Sequence, residues 1–166
     1  AIALQYRNGT LEKAISRKGN DITSKIAKVK DIPKQLPLRG VFQIRGELYA
    51  PNQTPNFSQR IASGFLRAQE GFGESLSFCS FQILNSRLNQ HESKTYLSKL
   101  GFSTPKDIFC NFTNQVKVFR KQWLEGKLFK EYPTDGIVVK INSRKLQLIR
   151  EKSNLDYRYW QMAIKD

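Results

Sequence analysis

The segment Pro133–Lys140, with the sequence Pro-Thr-Asp-Gly-Ile-Val-Val-Lys, constrains the fold of this chain more than any other stretch. An Asp-Gly pair usually forms a turn, but here three β-branched residues follow it and favour a strand. The segment therefore predicts a short strand with a carboxylate, Asp135, just before its first residue and an amine, Lys140, at its end. Charges of both signs at the two ends of one strand suit a site that handles a phosphate ester and its metal ion.

A second segment, Phe42–Tyr49, has the same plan far upstream and carries Arg45, Gly46 and Glu47 within a β run. Two charged strands that are distant in sequence predict one cleft built by a folded sheet. Glu47 is suited to accept a hydrogen bond from a ribose hydroxyl or to hold a metal through water. The plain alternative is an outward-facing strand residue.

The bulk composition predicts one domain, residues 1–166, with a basic surface. Lysine and arginine outnumber aspartate and glutamate 28 to 14, which gives a net charge of +14. This excess favours a polyanion as partner, nucleic acid first and an anionic membrane second, although a solvated basic surface is the simpler explanation. No apolar run is long enough to span a bilayer and no signal peptide is evident, so we expect a cytoplasmic protein without membrane contact.

Cysteine and histidine narrow the possible chemistry. Cys79 and Cys110 lack CxxC spacing and are predicted to be ordinary buried thiols in a reducing compartment. His91 is the single histidine, so neither a histidine-based triad nor a histidine metal site is available, and no protein metal ligands are predicted. Any catalysis must depend on lysine, arginine and carboxylates.

The order of strand and helix signals predicts an α+β domain with mixed, largely antiparallel sheets and flanking helices. Asn8-Gly9 is a strong hairpin signal, and Asp21 is predicted to cap a short helix that runs through Val29. We expect strands over 1–7, 10–15, 41–49, 76–84, 136–141 and 157–164. Further helices are expected over 58–67, 93–100, 113–124 and 143–151.

Taken in order, these segments resemble the adenylation domain of bacterial NAD-dependent DNA ligases over essentially the whole chain. The specific segments are Arg45–Tyr49 and Asp135–Lys140. ATP-dependent ligases and capping enzymes usually carry Glu-Gly where this chain has Asp-Gly, which favours the NAD branch. The supporting segments are Asn8-Gly9 and residues 21–23, 32–33, 62–67 and 160–165.

The resemblance implies the nucleotidyltransferase (ATP-grasp-like) fold of DNA ligases and their activity. In that family a lysine attacks the α-phosphorus of NAD, the AMP moves to a DNA 5′-phosphate, and the neighbouring 3′-hydroxyl displaces it to seal a nick. NAD, Mg²⁺ and nicked double-stranded DNA are the implied cofactors and partners, and a monomer is expected. As catalytic residues, Lys140 and Lys165 would neutralise the phosphate or contact the adenylate, and Asp135 would support metal or nucleotide.

The resemblance also implies a set of nucleotide-binding residues. Glu47 would lie in the adenosine pocket, and Arg67 would contact a phosphate of nucleotide or DNA, which the planar fork of arginine suits. Arg17, before a shortened loop, and Lys127, where an arginine is usual, complete the set.

The chain departs from the family at its nucleophile. The family's Lys-x-Asp-Gly motif would precede Ala1, so we expect a partial adenylation domain that forms no lysine–AMP adduct alone. Two alternatives remain open. One is a non-catalytic basic module that binds nucleic acid, and the other is a relative of ATP-dependent DNA or RNA ligases.

Overall fold

The computed structural model describes residues 1–68, 73–153 and 160–166 and confirms a mixed domain of antiparallel sheets and helices. The strands are β1 (Ile2–Arg7), β2 (Thr10–Ser16), β3 (Val41–Tyr49), β4 (Ser77–Ile83), β5 (Gly136–Lys140) and β6 (Gln161–Lys165). The helices are α1 (Thr23–Ile26), α2 (Pro55–Arg67), α3 (Gln90–Lys99), α4 (Thr113–Leu124) and α5 (Arg144–Ser153), with a 3-10 turn at Gly73–Ser75.

Two antiparallel sheets organise the domain. One has the strand order β2-β1-β3-β4, and the other pairs β5 with β6. The predicted hairpin joins β1 to β2, and Asn8 and Gly9 take φ values of 48° and 83° there, as the tight two-residue turn requires. In the smaller sheet Gly136 pairs with Lys165 and Lys140 pairs with Gln161. The two predicted charged segments lie in different sheets, because Phe42–Tyr49 belongs to β3 of the four-stranded sheet and Asp135–Lys140 leads into and forms β5 of the small sheet.

The core lies on one face of the four-stranded sheet because its strands alternate buried and exposed residues. Leu4 of β1 and Ile44 of β3 are almost fully buried, and Ile26, Phe65 and Leu97 pack into the same cluster from α1, α2 and α3. The opposite face of this sheet, which we call the outer face, carries the intervening residues of each strand. No helix among the described residues is long and apolar enough to cross a membrane.

The pairing of β3 with β4 contains a β-bulge. Gly46 pairs with Ser80 and Arg45 pairs with Gln82, so Phe81 is an extra residue on β4. A Cβ atom at Gly46 would lie 2.3 Å from Cζ of Phe78 and 2.5 Å from the carbonyl oxygen of Cys79. Only glycine lets these two strands approach this closely.

Most elements lie where the sequence predicted them, although α2 and α3 each begin three residues before the predicted start. Helix α1 ends at Ile26 rather than Val29, and the chain continues as turns in which the N–H of Val29 donates to the carbonyl oxygen of Ile26. Its N-cap is Ile22 rather than the predicted Asp21, which forms a β-bridge with Ile15. Helix α4 has the predicted bounds, but none of its residues is buried. The predicted last strand over 157–164 is β6 from residue 161, and its first three residues lie outside the described ranges.

The prediction of two buried thiols was wrong for one of them. Cys79 lies on β4 and is buried, whereas Cys110 is exposed, in a segment without helix or strand before α4. In a segment that lies on the surface, no neighbouring apolar residues cover a side chain such as the Cys110 thiol. Burial raises the pKa of the Cys79 thiol to about 11.

Replacing Gly46 by alanine is expected to destabilise the domain by about 1–3 kcal/mol, because the methyl group overlaps the Cys79 backbone, which cannot move aside. Urea unfolding measures the change. Gly64→Ala is the matched control, since nothing lies within 4 Å of a Cβ there. On helix α2 that change should stabilise by about 0.5–1 kcal/mol. Equal effects at the two glycines would refute the packing argument.

The two thiols should react with a disulfide reagent such as DTNB at very different rates. At pH 8 a thiol with a pKa of about 11 is about 0.1% thiolate, against roughly a quarter for an ordinary cysteine. We expect Cys79 to react at least about a hundred-fold more slowly than Cys110. The Cys110→Ser variant should lose the fast phase and Cys79→Ser the slow one. A single fast phase for both thiols in the folded protein would contradict the burial of Cys79.

Candidate functional site

Glu47 lies on the outer face of β3 because its neighbours Gly46 and Leu48 point into the core. Its carboxylate is about half exposed and is 3.0 Å from the amino group of Ala1. The amino end of β1 is therefore beside Glu47. The predicted role of Glu47 as a hydrogen-bond acceptor for a ligand requires this exposed, outward position.

Arg17 lies at the same end of the sheet. It directly follows Ser16, which pairs with Ile2, and Ile2 pairs in turn with Gly46. Adjacent strands lie about 4.8 Å apart, so the backbones of Arg17 and Glu47 are roughly 10 Å apart across β1. The Arg17 side chain is exposed. An anion bound near Glu47 is within the reach of this guanidinium.

Lys140 ends β5 and contacts the four-stranded sheet. Its Nζ lies 5.1 Å from the centre of the Phe81 ring, which the bulge in β4 supplies. Burial lowers the pKa of the Lys140 ammonium, and the nearby Cys79 interacts with it electrostatically. Cys79 pairs with Glu47 in the sheet. Lys140 and Glu47 thus approach the same end of the outer face from different sheets.

Lys165 and Asp135 form an ion pair at the far end of the small sheet. Their side-chain atoms are 2.9 Å apart, and both side chains are 67% exposed. The pairing of Gly136 with Lys165 places the lysine directly beside the residue that follows Asp135. The same register puts Lys140 and Lys165 on one face of the small sheet, about 13 Å apart along it.

The other two candidates, Arg67 and Lys127, are not in contact with the candidate residues described above. The Nε of Arg67 donates to the carbonyl oxygen of Ser63 within α2, at 3.3 Å. Lys127 follows α4 and pairs with Glu125 at 2.7 Å. Neither residue contacts Glu47 or Lys140, so their predicted place in a common site has no support from these contacts.

Two cavities of the described residues lie elsewhere. One, of about 480 Å³, is lined by Val41, Gln43, Ile83, Asn85 and other residues at the opposite end of β3 from Glu47. A much smaller one lies around Trp160 and neighbouring polar side chains. Neither is lined by a predicted site residue. The predicted single hollow is instead the surface where Lys140 meets the outer face.

Two residues of this surface, Phe81 and Cys79, were not predicted as site residues, and Cys79 was predicted only to be a buried thiol. Both lie in a segment that looked like an ordinary buried strand. The available signal was the imperfect alternation of 76–84, which a bulge explains. Within the described residues no group of three or more histidine, cysteine or acidic side chains is arranged to hold a metal.

Chemically, this surface can recognise an anion and a hydroxyl group together. Lys140 offers a partly desolvated ammonium, and interactions of such a group are weakly screened by salt. Glu47 offers a carboxylate that accepts hydrogen bonds, and Arg17 offers a second, exposed cation at the same end.

The first part of the chain matches a known protein family. Residues 1–70, which include β1, β2, β3, α1 and α2, match the NAD-dependent DNA ligase adenylation domain. The matched region contains Arg17, Glu47 and Arg67.

Curated relatives extend the similarity along the chain. The DNA ligase of Pseudothermotoga lettingae is 29% identical over 99% of this chain and 28% of its own length. Those of Onion yellows phytoplasma and Fervidobacterium nodosum are 33% and 32% identical, each over 86% of this chain and 25% of the relative. The chain thus spans about a quarter of the length of these relatives. The chain is thus similar to DNA ligases over most of its length, and its first 70 residues match the adenylation domain of the NAD-dependent ligases.

Proposed function

We propose that this chain is the adenylate-binding core of an NAD-dependent DNA ligase that seals nicks in double-stranded DNA, acting as a cytoplasmic monomer. One observation carries the proposal. The Lys140 ammonium lies against the outer face near Glu47, and among the described residues it has no carboxylate partner. A partly buried cation without a compensating anion favours the binding of one, and a phosphate group supplies that charge.

The two lysines of the small sheet would divide the phosphate contacts. Lys140 would bind the phosphate of the adenylate directly. Lys165 is engaged by Asp135 at 2.9 Å and would contact phosphate only by exchanging that partner. Because this pair is exposed, the exchange costs at most about 1 kcal/mol. Asp135 would therefore set the orientation of Lys165 before ligand arrives.

Glu47 would fix the adenosine half through its carboxylate. Its position on the outer face lets it accept hydrogen bonds from ribose hydroxyls, while Arg17 would add a second contact to phosphate. Arg67 and Lys127 are proposed as contacts to nucleotide or DNA outside this group, since each is exposed and engaged only locally. This assignment separates recognition of the nucleotide from contact with the larger substrate.

The reaction requires a lysine nucleophile. In the proposed first step a deprotonated lysine attacks the α-phosphorus of NAD, an N–P bond forms, and the P–O bond to nicotinamide mononucleotide breaks. The amino end of β1 lies beside Glu47, so a Lys-x-Asp-Gly segment placed before residue 1 would enter the site there. Lys140 would stabilise the negative charge that develops on the phosphate oxygens.

The described residues do not form a ready-made magnesium site. Mg²⁺ requires octahedral oxygen ligands, usually one or two carboxylates together with waters and substrate phosphates. Here Asp135 pairs with Lys165, and no cluster of metal-binding side chains occurs in the described ranges. We assign no step to the metal on the strength of these residues.

Titration with AMP tests the nucleotide site. We expect saturable binding by the wild type, and about a ten-fold or larger loss of affinity in Lys140→Met, because a hydrogen bond to a charged group contributes about 1.5–3 kcal/mol. Glu47→Gln should weaken binding by about two- to ten-fold, because the amide is a poorer acceptor. Isothermal calorimetry measures both dissociation constants.

Lys99→Met, at the end of α3, is the matched control, because it removes the same charge from an exposed position that is not among the candidate residues. It should leave AMP affinity unchanged. If Lys99→Met and Lys140→Met weaken binding equally, net charge rather than a site is responsible. DNA binding without any AMP binding would instead support the non-catalytic basic module.

Labelled NAD tests the missing nucleophile. The chain from Ala1 should retain no AMP after incubation with NAD labelled in the adenylate, because its lysines lack the Lys-x-Asp-Gly position. A longer protein with that motif joined before Ala1 should retain acid-labile, base-stable label, as expected of a phosphoramidate. Label held by the chain from Ala1 would show that another lysine serves as nucleophile.

A further inference from the structure

We propose that Phe81 is the positioning residue that holds the Lys140 ammonium over the outer face. The importance of Lys140 for phosphate rests on the function proposed above, but the contact between the two side chains does not. The Nζ atom lies 5.1 Å from the ring centre, within the range in which a cation is attracted to the negative face of an aromatic ring.

The bulge in β4 is what makes Phe81 available for this contact. In an unbroken strand the residue between Ser80 and Gln82 would take its turn in the alternation of faces. Here the pairing moves from Gly46–Ser80 directly to Arg45–Gln82, and Phe81 has no partner on β3. Bulges re-aim a side chain in this way. Phe81 remains only partly buried, which leaves room for the lysine.

An aromatic ring solves a specific problem at this position. Burial lowers the pKa of Lys140 and so disfavours the charged form that phosphate requires. A carboxylate would restore the charge but would compete with the phosphate. The ring quadrupole favours the ammonium without neutralising it, and it fixes the direction of the Nζ atom.

The other groups near Lys140 are poorly placed to replace the ring. Burial raises the pKa of the Cys79 thiol to about 11, so this group is neutral at physiological pH. Among the charged groups around Cys79, Lys94 pairs with Asp107 at 2.6 Å, and Asp31 accepts a hydrogen bond from the backbone of Phe78. Phe81 is therefore the group in the described surroundings that contacts the ammonium directly.

NMR with ¹³C-labelled lysine measures the pKa of Lys140 in the wild type and in two variants, Phe81→Leu and Phe81→Tyr. A Lys140→Arg variant identifies the signal of Lys140, because that signal is absent from its spectrum. Leucine keeps the site apolar but has no ring quadrupole, so the pKa of Lys140 should fall by about 0.4–1.5 units. Tyrosine keeps the ring, so the pKa of Lys140 in Phe81→Tyr should equal that in the wild type. The ¹³Cε signal of Lys165, far along the small sheet, should have the same chemical shift in all three proteins.

Two results would overturn the proposal. One is an unchanged pKa of Lys140 in a folded Phe81→Leu protein. The other, which needs no variant, is the absence of an upfield ring-current shift of the Lys140 Hε protons in the wild type. This second measurement decides the question if Phe81→Leu does not fold. AMP titration separates the two proposals, because failure of AMP to bind would refute the nucleotide site while the titration of Lys140 still tests the contact.

Discussion

The close approach of β3 and β4 at Gly46 is the constraint on which the site depends. Because Gly46 has no side chain, the Phe78 ring and the Cys79 backbone fill the space where a Cβ would be. Next to this contact, the register between β3 and β4 shifts by one residue, and Phe81 becomes the unpaired residue of the bulge. Glu47 is next to Gly46 and stays opposite Cys79. The same contact thus fixes the carboxylate and the aromatic residue that the site uses.

Local patterns in the sequence predict the elements but not their exceptions. The Asn8-Gly9 turn and the alternation within Val41–Tyr49 are properties of neighbouring residues, and both were confirmed. The bulge at Phe81 depends on a partner that is distant in sequence, because it follows from the register of β4 with β3. The exposure of Cys110 depends on whether any element covers its segment, which composition does not reveal.

The two lysines of the small sheet illustrate the same limit at the site. Both end short β-branched or apolar strands, and the sequence offered no reason to distinguish Lys140 from Lys165. Tertiary packing separates them, because one is largely desolvated against a ring and the other is exposed and paired with Asp135. Family segments can therefore propose candidate residues for a binding site, whereas the charge balance around each residue requires the fold.

The net charge of +14 and the partly buried Lys140 act over different distances and respond differently to salt. Exposed charges are screened beyond about 10 Å at 0.1 M salt, so the basic surface attracts any polyanion and loses that attraction as salt rises. A desolvated ammonium close to its phosphate is screened much less. The proposed attraction of DNA by the whole surface and the proposed recognition of a single phosphate at Lys140 are thus separable by their response to salt. The proposed function requires both, because a nick-sealing enzyme must release its polymer substrate after each reaction yet retain the nucleotide through the first chemical step.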